Sequence, residues 1–327
     1  MDTINWGILG TGGIAHKFAN GLTALDDARL LSVGSRSQAT ADRFADEFDA
    51  TNRHPNYAAL AADPDVHAIY IATPHDSHCE NTVLCLEAGK AVICEKPFSI
   101  TLAETDRMIA AARDNGVFLM EAMWTRFLPV LVELRRRVAR GDIGEPRMLS
   151  ADFGFRVDTP DPSGRLFNPQ HGGGALLDVG VYTVSLASML FGAPSRIASL
   201  ANLGDTGVDE EAGIVLGHGG GEMAVLYTAI RATTPQDAVL MGTRGSIRIH
   251  SPWWVPTAMT VQAGGAEETV ELPYEGNGYN YEAAEVMACL RAGKTESDVM
   301  PLPETRGVMR TLCDIREQWG LRYPADG

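Results

Sequence analysis

The run Ile4-Asn5-Trp6-Gly7-Ile8-Leu9 is a short, mostly apolar strand that breaks at once into Gly10-Thr11-Gly12-Gly13-Ile14-Ala15, and a helix-like pattern follows to about Leu25. Few local sequences restrict a fold so strongly. Gly10 permits a tight turn, Gly12 lets the backbone approach a pyrophosphate, and Ala15 lets the helix pack close on the strand, while amides at the helix start face the anion. A purely structural turn has the same spacing. The strand before it and the helix after it favour a dinucleotide site built on Gly10, Thr11, Gly12, Gly13 and Ile14.

The same rhythm then repeats. A second strand, Leu30–Gly34, delivers Ser35-Arg36-Ser37, and Ala39–Phe48 has helical spacing. A strand in this place usually ends in an acid for a ribose 2′-hydroxyl. An arginine between two hydroxyls suits a 2′-phosphate instead, so NADP is expected rather than NAD; the alternative is an exposed arginine at a turn. His67–Ile71 reads as the next strand, and Thr73-Pro74 opens a helix with proline near its start. Thr73, Pro74, His75 and His78 should lie over the phosphate–nicotinamide side, although a histidine near a helix start is more often a structural donor than a proton shuttle. Ala91-Val92-Ile93-Cys94 is an apolar run closed by Glu95-Lys96-Pro97, which sets Lys96 at the carboxyl edge of a parallel sheet, where open α/β folds bind ligands. Thr101–Asn115, with Glu104 completing a capping box, and Val117–Glu121 finish a six-strand alternation. The pattern specifies a doubly wound parallel sheet.

At 327 residues the chain exceeds what one core usually supports, so two domains are expected, 1–123 and 124–327. Lys plus Arg number 27 against 42 acids, a net charge of −15, which argues against nucleic acid or an anionic membrane as a general partner. Cys79, Cys85, Cys94, Cys289 and Cys313 are an odd set without a metal-type spacing, and free thiols in a reducing cytoplasm are expected. Asp2 and the glycine-broken start do not read as a signal peptide, and no apolar stretch is expected to reach a membrane span. The histidines lack zinc-ligand spacing.

After Ala122-Met123-Trp124 the rhythm changes. A basic helix, Val130–Arg140, precedes a strand-rich region with short glycine-rich turns, the signature of a largely antiparallel sheet. One helix interrupts it, from about Ala175 to Leu190, behind His171-Gly172-Gly173-Gly174. Asp178 and Tyr182, four apart, should share one helical face, with Leu177, Val181 and Leu186 in the core. A buried acid there needs a partner, and Lys96 is the natural candidate.

Taken together, Trp6–Gly12, Cys94–Phe98, Glu121–Phe127, Gly173–Tyr182 and the ending Gly320-Leu321-Arg322-Tyr323-Pro324 make the chain resemble the glucose–fructose oxidoreductase / inositol dehydrogenase family of NAD(P)-dependent oxidoreductases over nearly its whole length. Within that family it is most similar to the branch of dimeric dihydrodiol dehydrogenase and NADP-dependent D-xylose 1-dehydrogenase. The resemblance implies an N-terminal doubly wound Rossmann domain and a C-terminal α+β domain whose largely antiparallel open sheet forms a dimer or higher oligomer. It implies that Lys96 is the site lysine, with Glu95 beside it and a Lys96–Pro97 bond that can be cis. Tyr182 stands where many members carry a histidine, which points to the dihydrodiol/xylose branch. By likeness, Trp124, Phe155, Trp254 and Tyr279 would line the substrate pocket, and Arg165 and Tyr281 would touch the cofactor. The implied chemistry is hydride transfer between NADP and a carbinol or carbonyl carbon of a sugar, polyol or vicinal diol. Tyr182 or Lys96 would move the proton and Asp178 would hold them in register. A regulator or sensor that binds NADP without turnover is the competing expectation.

Overall fold

The computed structural model describes residues 3–327. Its first sheet has the strands β1 (Ile4–Leu9), β2 (Ala28–Gly34), β3 (Asn52–His54), β4 (Ala68–Ile71), β5 (Ala91–Glu95) and β6 (Leu119–Ala122). They are ordered β3-β2-β1-β4-β5-β6, and each pairing is parallel. The strand order reverses between β1 and β4, and in such sheets the crevice beyond the strand ends at that point takes the ligand. The connecting helices are α1 (Gly13–Leu22), α2 (Gln38–Phe48), α3 (Tyr57–Ala61), α4 (His78–Glu87) and α5 (Leu102–Asn115). β4, β5 and β6 are buried at every residue, which is why they read as continuous apolar runs rather than alternating ones. Two features match the residues that encode them. Thr101 and Glu104 form the reciprocal capping box at the start of α5, and Gly116 closes that helix with φ +62°.

One strand goes unannounced in the sequence, and one local expectation is corrected. β3 has only three residues, all polar or charged, and no apolar periodicity announces it. The segment after Thr73-Pro74 begins as a single 3₁₀ turn, His75–Ser77, before α4.

The second sheet follows α6 (Pro129–Arg140) and is formed by β7 (Pro146–Gly154), β8 (Pro194–Leu203), β9 (Asp209–His218), β10 (Met223–Ala229), β11 (Ala238–Gly242), β12 (Gly245–Ile249), β13 (Ala258–Ala263) and β14 (Ala266–Glu271). Its order is β14-β13-β12-β11-β7-β10-β9-β8, antiparallel except for β7 beside β10. A π-helical turn, Leu176–Gly180, runs into α7 (Val181–Phe191). Leu177, Val181 and Leu186 are buried as expected. The stretch Pro169–Phe191 has mean hydropathy 1.6 over its most apolar window and is long enough to cross a membrane, contrary to the expectation that no stretch would be; 78% of that window is buried inside the protein. A helix apolar on all sides is what a core position selects. The inner sheet face carries Leu149, Ala151, Phe153, Leu226 and Ile214, all buried. The outer face leaves Met148, Leu200, Val215, Met223, Val225 and Tyr227 exposed, Leu200 at 82%.

The chain ends with α8 (Tyr279–Arg291) and α9 (Leu302–Gln318). The compact units do not follow a single cut in the sequence. One runs to Trp124 and includes Glu275–Thr305; the other is Thr125–Tyr274 with Arg306–Gly327. The expected second domain, 124–327, therefore loses a segment to the first. The reason is local packing: Asn277 Nδ2 donates to the Lys17 carbonyl at 2.7 Å, and a Cβ on Gly21 would stand 2.9 Å from that of Tyr279. The Leu119 amide also donates to the Thr295 carbonyl at 3.1 Å.

Candidate active site

In the first unit, Gly10 ends β1 with φ +101°, and a Cβ there would lie 2.8 Å from the Ala72 carbonyl oxygen. That close approach, at the reversal of the strand order, admits only glycine. Gly12 and Gly13 differ: a Cβ on either meets nothing within 4 Å. Packing therefore does not demand these two glycines. Gly12 opens α1 without a side-chain cap, so the helix start offers uncovered amides beside space that side chains would otherwise fill. This is the arrangement a pyrophosphate needs, and Thr11 and Ile14 flank it half-buried.

At the end of β2, Ser35 Oγ lies 3.3 Å from Thr11 Oγ1 and 2.6 Å from Thr40 Oγ1. Ser37 Oγ accepts from the Thr40 amide and caps α2. Arg36 between them is exposed. Burial raises the phenol pKa of nearby Tyr57, and the Arg36 charge opposes it. The end of β2 thus carries two hydroxyls and a guanidinium, with no carboxylate among residues 35–37.

The β4–α4 loop places Thr73 and Pro74 toward solvent more than His75 and His78. His78 is fully buried, with Nδ1 2.9 Å from the Pro97 carbonyl and Nε2 2.9 Å from that of Thr73. Both ring nitrogens are thus engaged with the main chain. Burial lowers its pKa, against the pull of these carbonyls. His78, expected at the cofactor, ties this loop to the Lys96–Pro97 turn. His75 packs edge-on to it, with ring centroids 5.6 Å apart.

Lys96 follows β5 half-buried, and its bond to Pro97 is cis. Glu95 is buried and accepts from the Tyr70 hydroxyl. Glu282 on α8 is buried, and among the described residues neither of its carboxylate oxygens is hydrogen-bonded. Burial, then the Glu95 charge, raises its pKa well above the usual range. Tyr279 stacks on Trp124 with centroids 4.4 Å apart and planes 10° from parallel. Tyr281, expected at the cofactor, accepts the Glu275 amide on its hydroxyl at 2.9 Å.

In the second unit, Asp178 lies within the π turn and is buried, and its carboxylate pairs with the half-exposed Arg165. The structure gives this acid a guanidinium partner, Arg165, that the sequence reading had not paired with it. The phenol of Tyr182 is buried against an aromatic wall. Phe153 and Trp254 stack with centroids 4.8 Å apart and planes 4° from parallel, and Tyr182 stands 5.3 Å from Phe153 and 6.5 Å from Trp254. Phe155, expected in the pocket, packs with Phe167, Ala175 and Ile230 instead. Phe153 faces inward within β7 against Tyr182 and Trp254, whereas Phe155 lies past the strand's end. Trp254 is held by Thr125 Oγ1 on its carbonyl at 2.7 Å and by its indole N–H on Gln236 Oε1 at 3.4 Å.

A Rossmann unit with an open anion cradle, followed by a unit that buries an acid and a phenol beside stacked aromatics, defines a nicotinamide-dependent oxidoreductase. Residues 4–123 match the oxidoreductase family with an NAD-binding Rossmann fold, and residues 131–248 match the GFO/IDH/MocA C-terminal domain. The chain belongs to the GFO/IDH/MocA family. It is 37% identical to trans-1,2-dihydrobenzene-1,2-diol dehydrogenase of Mus musculus and 35% identical to that of Homo sapiens, with 99% of each chain covered in both comparisons. Among solved structures it is similar to an aldose–aldose oxidoreductase from Caulobacter crescentus (TM-score 0.87, 23% identity, 97% of this chain and 98% of that one). It is also similar to a 3-ketoreductase from Actinomadura kijaniata in complex with NADP and TDP-benzene (TM-score 0.85, 24% identity, the same coverage). The protein is thus a dehydrogenase of this family, with relatives that act on diols.

Replacing Gly10 by alanine should drive a methyl group into the Ala72 carbonyl and distort the cradle. Dinucleotide binding measured by calorimetry is expected to weaken at least tenfold, a loss of about 1.4 kcal/mol or more; unchanged binding would contradict the role given to this turn.

Proposed function

We propose that the enzyme is NADP-dependent and interconverts a carbinol and a carbonyl on a vicinal diol, polyol or sugar, with Tyr182 as the group that moves the proton. The observation that carries this reading is the buried Tyr182 phenol set against Phe153 and Trp254, close in sequence to buried Asp178. Flat aromatic faces suit either a carbocycle or the C–H face of a sugar. The whole-length likeness to dihydrodiol dehydrogenases favours the diol. For the cofactor, support comes from exposed Arg36 between Ser35 and Ser37.

When bound, the nicotinamide supplies the hydride acceptor or donor. The protein has to move the proton. A phenol ordinarily titrates near ~10. An ammonium close by favours the phenolate and brings the group into the range of a working base. In this reading Lys96 supplies that charge, and Asp178, paired with Arg165, keeps the catalytic side chains in register. On oxidation Tyr182 takes the proton from the substrate hydroxyl; on reduction it returns it.

We further infer that the chain self-associates through the outer face of the second sheet. Val225 faces Val215 on one neighbouring strand, Met223 faces Met148 on the other, and Leu200 extends the patch. A contiguous apolar patch of this kind marks an interface.

Three measurements test these readings. Tyr182→Phe should lower kcat by about 10²-fold or more, the usual weight of general acid–base catalysis, with KM little changed; if it keeps near-full turnover while Lys96→Met does not, Lys96 is the proton-transfer group. In a screen of trans-dihydrodiols, pentoses and hexoses, Arg36→Ala should raise KM for NADP about 10-fold, the weight of a charge-assisted hydrogen bond, and leave KM for NAD nearly unchanged. A clean NAD preference in the wild type would overturn the assignment of Arg36. Light scattering should find the wild type dimeric or larger and Val225→Arg monomeric; a monomeric wild type rules the interface out.

A further inference from the structure

We propose that Asp209 is a positioning residue for the active-site tyrosine: its carboxylate fixes the start of the π turn that carries Asp178 and, through that turn, sets the phenol of Tyr182. The inference rests on the reading of Tyr182 as the proton-transfer group. Asp209 opens β9 and is completely buried. Its Oδ2 accepts the amide of Leu176, the first residue of the π turn, at 2.6 Å. Its Oδ1 occupies the space beside Gly174, where a Cβ would stand 2.1 Å away, and Gly174 has φ +111°. No side chain other than hydrogen fits there.

The Gly172–Gly174 run is held from two further directions. The Gly174 amide donates to the Leu166 carbonyl at 2.8 Å, and the Tyr323 hydroxyl donates to the Gly173 carbonyl at 2.6 Å. Asp209 supplies the only charged group of the three, and its Oδ1 has no hydrogen-bond partner among the described residues. A serine or threonine would cap the turn without a buried charge. The uncompensated oxygen is therefore a cost that capping alone does not explain.

The titratable groups around this carboxyl are few. Tyr323 faces it from the C-terminal segment; burial and then Asp209 raise that phenol's pKa, and Arg316, ion-paired with Asp326, opposes the shift. On β9 itself Glu210 pairs with Arg231 at 3.6 Å, and on the π turn Asp178 pairs with Arg165. Burial pushes the Asp209 carboxyl up to about 7, tempered by the Leu176 amide. Because its folded pKa lies above the unfolded value, ionisation opposes folding. Stability is greatest while the group is protonated and declines as pH rises from the ordinary carboxylate range through about 7.

The test uses the full chain and the variants Asp209→Ala, Asp209→Asn and Tyr182→Phe. It measures kcat and KM against pH with NADP and the trans-dihydrodiol of benzene, and thermal midpoints against pH without cofactor. Asp209→Ala should lower kcat at least tenfold with KM changed less than threefold. Asp209→Asn keeps an acceptor for Leu176, so it should recover most of that loss and erase the ionisation near pH 7 from both profiles. A folded Asp209→Ala with wild-type kcat overturns the proposal, as does an Asp209→Asn whose two profiles superimpose on those of the wild type. If Asp209→Ala does not fold, Asp209→Asn decides alone. Near-wild-type turnover in Tyr182→Phe overturns the tyrosine assignment and, with it, the positioning role; the cofactor-free profiles are independent of that chemistry, so the two failures are told apart.

Discussion

The first unit depends on a single close approach, that of the β1 end to the β4 end. Gly10 and the Ala72 carbonyl come nearer than any side chain allows, and from that contact the geometry of the cradle follows. α1 must leave β1 at once, so its first amides lie over the strand ends rather than over a helix packed further back. β2 then ends beside it, and Ser35 reaches Thr11 across the reversal in strand order. β5 ends on the other side, in the Glu95-Lys96-Pro97 turn whose Pro97 carbonyl is tied to His78. A parallel sheet places its functional groups at one edge by construction. Here the backbone approach fixes how sharply they are gathered.

The second unit uses a different device. Its eight-stranded sheet has one face sealed by an apolar helix and one face open. On the sealed face Phe153 on β7 and Tyr182 on α7 meet, with Trp254 delivered by the loop after β12. That loop is anchored through Asp152: its main-chain carbonyl takes the Trp253 indole N–H at 2.6 Å, and its carboxylate takes the amides of Gln236 and Asp237. Gln236 adopts φ +58° and points its side-chain oxygen at the Trp254 indole. A non-glycine residue held in this conformation is one the surroundings impose.

What could be read from the sequence divides along the range of the interactions involved. The Gly10 turn, the Thr101–Glu104 capping box and the buried strands β4 and β5 are local, encoded within a few residues, and the structure contains them where the residues place them. The pairing of Asp178 with Arg165 was not legible. Arg165 lies thirteen positions earlier in an irregular loop, and nothing in its spacing distinguishes it from other surface arginines. Phe153 and Phe155 share the same strand parity, so alternation alone could not choose between them; the end of β7 at Gly154 did. The return of residues 275–305 to the first unit depends on Asn277 and Tyr279 meeting α1 across more than 250 positions. Asp209 carried no motif at all. Its meaning comes from Gly174, which has no side chain in that space.

The π turn at Leu176–Gly180 has a consequence of its own. Such a turn is equivalent to one residue inserted into an otherwise regular helix. The wider turn takes up the extra residue, so the helix beyond it keeps the phase it would have without the insertion. Asp178 lies inside the wide turn and Tyr182 just beyond it, on the regular winding of α7. Losing this one residue would shift the acid while leaving the phenol seated against Phe153, so the length of this segment, more than its composition, sets the spacing between the two groups.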